Sequence, residues 1–202
     1  MIFEGRLHYK MEYSYLQTVT ALINAIDVKD PDITGHGKRV AEISDGIAMS
    51  LHLSEQEREP LMFAALLHDV GKIGVGKEIL WKPRILNESE RNEMRAHPDK
   101  GIQILHPVCF LKPAFAAIRH HHERFDGLGY PLGLRGEAIP LISRIISVAD
   151  AWDAMLSNRP YRNALSVDHA KKELERHAGT QFDPEVVAEF IRNKPMKILG
   201  GH

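Results

Sequence analysis

The stretch Ala65-Leu66-Leu67-His68-Asp69-Val70-Gly71-Lys72 ends an apolar helical run on an imidazole, a carboxylate, a glycine and a lysine. Burying His, Asp and Lys at the end of an apolar helix is costly unless something pairs with them. A divalent metal solves the problem, because neutral imidazole and carboxylate are ordinary ligands for Fe, Mn, Zn or Co. The alternative for this segment alone is a helix C-terminus with a charge-paired His-Asp. A carboxylate has two oxygens and can bridge two metals, which an imidazole cannot.

Outward from this segment, apolar residues recur at helical spacing through most of the 202 residues. Leu16, Val19, Leu22, Ile23 and Ile26 mark one amphipathic helix. Val40, Ile43, Ile47 and Leu51 mark a second, after Thr34-Gly35-His36-Gly37. Ser54 caps a third, which carries Leu61, Ala64, Ala65 and Leu67 before Gly71 breaks it. Asn87 and Glu90 form a capping-box pattern opening a helix that carries Met94 and His97, which Pro98 kinks or interrupts. Pro113 starts a helix towards His121. Residues 139–156 are apolar and helical. Ser166 caps residues 167–177, and Asp183-Pro184 opens the last helix. Nothing alternates with period two for long enough to demand a sheet, so the fold class is all-α. Residues 125–140 differ, with four glycines and two prolines. A loop of that length in a compact domain is usually functional.

Composition limits the function classes. Net charge is −1, so the chain as a whole is not a polyphosphate-binding surface, and DNA or RNA partners are not expected. The one cysteine, Cys109, excludes an internal disulfide and reads as a small buried hydrophobe. No apolar run approaches the ~18 residues of a membrane span, and the N-terminus lacks a signal-peptide pattern. The chain therefore reads as cytoplasmic, without membrane insertion. Residues 1–12 read as a lead-in or linker stub and 13–202 as the catalytic domain.

Twelve histidines are the departure from routine. His36 sits at a helix start, His97 in a mid-chain helix, and His121 and His122 are adjacent. Asp150 lies on the apolar run Ile145-Ile146-Ser147-Val148-Ala149-Asp150-Ala151-Trp152, where a lone carboxylate needs a partner. Seven candidate ligands result: His36, His68, Asp69, His97, His121, His122 and Asp150. That is more than one metal can use, and it suits two octahedral ions sharing a carboxylate. Mixed N/O donors without thiolate favour Fe or Mn, and admit Zn, Ni or Co.

His68-Asp69 after an apolar helix resembles the doublet of the HD superfamily of phosphohydrolases. His121-His122-Glu123-Arg124-Phe125-Asp126-Gly127-Leu128-Gly129-Tyr130-Pro131 resembles the long signature of the HD-GYP branch. The likeness continues through Ile139-Pro140-Leu141, Val148-Ala149-Asp150 and Asn158-Arg159-Pro160-Tyr161-Arg162, and covers roughly residues 20 to 192. The resemblance implies a single helical domain of about seven to nine helices around a metal site, with a long glycine-rich loop. It implies the same seven ligands, none of them missing. It also implies that a position four residues before His36 can serve a third metal. Asp32 stands there, and capping or solvation is its other reading.

The expected activity is a phosphodiesterase in which a hydroxide bridging two metals attacks phosphorus. Asp69 bridges, and Lys72 stabilises developing charge on the phosphate unless it is a solvent-facing helix-end lysine. Arg159 and Arg162 are candidates for the second phosphate or a guanine edge, and Tyr130 for a ligand contact. By resemblance the substrate is cyclic di-GMP, opened to pGpG and onward to GMP. Rival expectations are a phosphohydrolase for another nucleotide such as cyclic GMP-AMP, and a weakly active signalling module. An N-terminal sensor or receiver domain in a longer parent and a homodimer are further expectations.

Overall fold

The computed structural model describes residues 2–30, 34–158 and 163–192, with side chains from Tyr15 onward. Asp32, Arg159 and Arg162 lie outside the described residues. Helices α1 (Ile2–Lys29), α2 (His36–Ser50) and α3 (Glu55–Leu67) are followed by a 3-10 turn, Val70–Gly74. Then come α4 (Lys77–Leu80), α5 (Glu88–Arg95), α6 (His97–Leu105), a 3-10 turn (Cys109–Ala114) and α7 (Phe115–His120). After the glycine-rich loop, α8 (Leu141–Leu156), α9 (Val167–Arg176) and α10 (Pro184–Arg192) complete the described chain. No strand forms among the described residues, and the chain is all-α as its periodicity requires. No described helix is long and apolar enough to cross a membrane.

The apolar stripes become one core. Val40, Ile43 and Ile47 of α2, Leu61, Ala64 and Leu67 of α3, and Ile145, Ile146, Val148 and Ala149 of α8 are all buried. These three helices pack on one another, α6 packs on the 3-10 turn Val70–Gly74 and on α7, and α9 and α10 close over α8. Caps fall where the polar residues call for them. The Asn87 side chain accepts from Glu90 N–H at 3.0 Å and Glu90 accepts from Asn87 N–H at 2.8 Å. Asp183 accepts from Glu185 N–H at 2.8 Å, and its other oxygen pairs with Arg144, tying α10 to α8.

One local expectation is resolved and two are corrected. Pro98 marks an interruption rather than a kink: α5 ends at Arg95, and Pro98 lies in the first turn of α6, where its missing N–H is one of those left without an intrahelical partner in any case. Pro113 lies inside the 3-10 turn, and α7 starts two residues later. Cys109 is exposed, because Leu111 and Ala114 are the residues of that turn that reach the core.

Candidate metal centre

Three helix ends deliver three imidazoles by one device. The last carbonyls of a helix have no intrahelical partner. Ala65 O in α3 meets His68 Nδ1 at 2.8 Å, Met94 O in α5 meets His97 Nδ1 at 2.8 Å, and Ile118 O in α7 meets His121 Nδ1 at 2.6 Å. A carbonyl can only accept, so in each ring Nδ1 carries the proton and Nε2 presents a lone pair. His36 arrives differently. It opens α2 after Gly35, whose N–H is held by Asp27 at 3.3 Å. His36 Nδ1 meets Asp153 Oδ2 at 2.7 Å, and its Nε2 lies 3.2 Å from Asp150 Oδ1.

The lone pairs converge. His36, His68 and Asp69 bring ligand-capable atoms within 4.8 Å of one another, and so do Asp69, His97, His121 and His122. Asp69 belongs to both groups: Oδ1 lies 3.4 Å from His97 Nε2 and Oδ2 3.5 Å from His68 Nε2. Six of the seven expected residues thus meet directly, and Asp150 joins through His36. The close approach depends on Gly71. A Cβ there would fall 1.7 Å from His97 O and 2.6 Å from Gly101 N, so only glycine lets the turn after Asp69 lie against α6.

The electrostatics follow from burial and sign. Burial would raise the Asp69 carboxyl, but Lys72, His68 and His97 overcome it and hold it well below the usual range. Asp150 is likewise held low against its burial by the hydrogen bond from His36. Burial lowers His36, yet Asp150 and Asp153 outweigh it and carry the ring up to about 9. Burial, helped by His97, pushes His122 down to about 4; burial and neighbouring imidazoles also push His97 and His121 down. The His97 side therefore keeps neutral imidazoles, the form that ligates metal.

Lys72 Nζ sits on Asp69 Oδ2 at 2.7 Å, with Asp30 Oδ2 4.0 Å away. It is thus half-buried against the carboxylate, and its own charge is favoured by Asp69 despite the loss of water around it. The Tyr130 ring stacks on His122 at 4.8 Å, with the Arg95 guanidinium 5.5 Å over it, and burial pushes its phenol up. The loop holding Tyr130 is anchored from inside. Buried Glu123 accepts from Leu132 N–H at 2.7 Å and Leu134 N–H at 3.0 Å. A Cβ at Gly129 would fall 2.3 Å from Arg124 N, so the loop turns in against residues 122–124 only through glycine.

Sequence reasoning missed Asp153, Glu123, Arg95 and Asp30 as contributors. Asp153 had a signal: a second carboxylate one turn beyond Asp150 on an apolar helix. Asp30 and Arg95 had none, since both are brought in by packing. His120, outside the seven expected ligands, has a side chain only 12 % exposed, with Nδ1 3.6 Å from Glu123 Oε1.

The donors fit divalent metal. His68 Nε2 is buried and has no hydrogen-bond partner, which is costly for a polar atom unless a cation faces it. Imidazole and carboxylate with no thiolate form a set for hard-to-intermediate ions.

Comparison with known proteins agrees. The family model described as HD domain matches residues 20–186. The 3'3'-cGAMP-specific phosphodiesterase 3 of Vibrio cholerae is 42% identical over 185 residues, covering 91% of this chain and 40% of that protein. The cyclic di-GMP phosphodiesterase response regulator RpfG of Xanthomonas campestris is 40% identical over 180 residues, covering 88% of this chain and 48% of its own. The chain thus spans less than half the length of these relatives. The crystal structure of a cyclic GMP-AMP specific phosphodiesterase of V. cholerae superposes with a TM-score of 0.69, covering 89% of this chain and 49% of the other at 23% identity, a likeness of fold. With the glycine-rich signature at residues 121–131, the chain belongs to the HD domain family of metal-dependent hydrolases, in its HD-GYP branch.

Proposed function

We propose that this chain is a metal-dependent phosphodiesterase that opens cyclic di-GMP to linear pGpG, and onward to GMP. The observation that carries the reading is the membership of Asp69 in both His groups, one carboxylate placed to serve two cations. The ligands are His36, His68, Asp69 and Asp150 on one side and Asp69, His97, His121 and His122 on the other. Two ions, Fe or Mn, fit this donor set, with Asp32 the candidate for a third.

When bound, two divalent ions acidify water into a nucleophile at neutral pH and offer a positive template for the phosphate. The protein's own groups do the rest. Carbonyls at three helix ends fix the imidazole tautomers. Lys72 holds Asp69 ionised and supplies a fixed positive charge beside the reacting phosphate. Tyr130, stacked on His122, faces the nucleotide, and Arg159 and Arg162 take the second phosphate.

Residues 13–202 act as the catalytic domain and 1–12 as its lead-in, in a cytoplasmic protein. The curated relatives are longer, which supports a sensor or receiver domain elsewhere in the parent; a homodimer is part of the same reading. A second substrate, 3'3'-cGAMP, is favoured by the 42% identical relative named for it. The deciding experiment is an assay of anaerobically purified protein on both cyclic dinucleotides, with metal analysis of the same sample. Turnover with two metals per chain is expected. A metal-loaded protein that cleaves neither would leave the signalling-module reading instead.

A further inference from the structure

The four Nδ1-anchored imidazoles of the centre are not backed alike. His68, His97 and His121 rest on neutral backbone carbonyls. His36 alone among them rests on a carboxylate, Asp153, at 2.7 Å. Asp153 is 1% exposed, and Arg39 clamps it with Nε to Oδ1 at 2.6 Å and NH2 to Oδ2 at 3.1 Å. Both oxygens are therefore engaged, which fixes the orientation of the carboxylate. His36 and Asp153 are 117 residues apart, and their contact locks α2 to α8 one turn beyond Asp150.

The two halves also differ in donors. One has three imidazoles around Asp69; the other has His36 and His68 around Asp69, with Asp150 beside His36. A carboxylate behind a ligand imidazole fixes its tautomer and orientation and strengthens its donor nitrogen. The half with fewer imidazoles is the one with the strengthened imidazole.

We propose that Asp153, clamped by Arg39, is a positioning residue for the His36 half alone, so that without it the centre holds one metal instead of two. The proposal rests on the two-metal reading above. Arg39 acts through Asp153, and neither touches the substrate.

The test is Mn(II) binding to metal-free Asp153→Asn and wild-type protein, followed by titration, metal analysis and electron paramagnetic resonance. Wild type should bind two Mn(II) with the spectrum of a spin-coupled pair. The variant should keep one site unchanged and weaken the other on the order of 10–100-fold, giving the spectrum of isolated Mn(II). A general structural role would weaken both sites together, and that result, or two undisturbed sites, overturns the proposal. If Asp153→Asn fails to fold, Arg39→Gln decides, since Arg39 lies partly in solvent. It should weaken the same single site, by less, and unchanged binding overturns the proposal. A folded wild type that binds fewer than two Mn(II) overturns the two-metal reading, and this proposal with it.

Discussion

Asp69 turns Oδ1 towards His97 and Oδ2 towards His68 and Lys72. Removing it takes a donor from both His groups at once, while any single imidazole serves only one. Asp69→Ala should therefore abolish metal occupancy and hydrolysis together, measured by metal analysis and turnover; two retained metals would refute the bridging role. Lys72 is no metal donor, so Lys72→Ala should keep the metals and lower kcat on the order of 10²-fold. Loss of metal in that variant would mean that Lys72 matters only by holding Asp69 in place. Arg159 and Arg162 are tested by substrate choice. Alanine at either should weaken a cyclic dinucleotide by about 1.5–3 kcal/mol in kcat/KM and spare a small one-phosphate diester such as bis(p-nitrophenyl) phosphate. Equal damage to both substrates would assign these arginines to the fold. The metal-binding residue types were legible here because buried His and Asp on apolar helices are costly and few. Asp153 was not read, since a helical carboxylate near Asp150 is as readily solvated as buried until α2 is laid against it.

At the scale of elements, the centre is made from ends rather than middles: His36 opens α2, and His68, His97 and His121 sit at or just beyond the ends of α3, α5 and α7. Helix ends are where free carbonyls and irregular backbone allow a side chain to turn inward. The 3-10 turn Val70–Gly74 and α6 touch through Gly71, which makes that residue a structural test. Gly71→Ala puts a methyl into backbone and should cost at least the roughly 1–3 kcal/mol typical of overpacking, read as a lower melting temperature. Unchanged stability would mean that α6 moves freely against the turn. Gly129→Ala instead strains only the loop against residues 122–124, so helicity should persist while Tyr130 shifts from His122 and KM rises. Capping patterns at Asn87 and Asp183 were legible because their partners are local. Pro98 left kink and interruption open because a proline reads alike in both, and only the end of α5 at Arg95 distinguishes the two.

Across the whole molecule, the packing of α2 on α3 and α8 and of α6 on the 3-10 turn closes one cluster from residues 36 to 150. Metal that binds only this folded arrangement stabilises it by mass action. Each site held at about 100 times its Kd contributes about 2.7 kcal/mol, or roughly 5–11 °C at 2–4 °C per kcal/mol for a chain of this size. Chelation should therefore lower the melting temperature by that order per site lost, and restoring Mn(II) should reverse it. A melting temperature indifferent to chelator and metal would argue that the cluster is a bare ion-pair network.

The amino-acid sequence by itself determined the all-α class and most helix starts, and it offered the seven residues proposed as ligands, six of which the fold brings together. These depend on 3.6-residue periodicity, local caps and the expense of buried polar groups. The long signature at residues 121–131 determined the branch of the family for the same reason, being contiguous. Only the tertiary structure decided that Asp69 stands between two His groups, that Lys72 lies against it, and that Asp153 backs His36 while Glu123 anchors the loop. Each of these is a distance between side chains, set by how helices stack. Periodicity says which face of a helix is buried, and it is silent on which polar atom of another helix that face will meet.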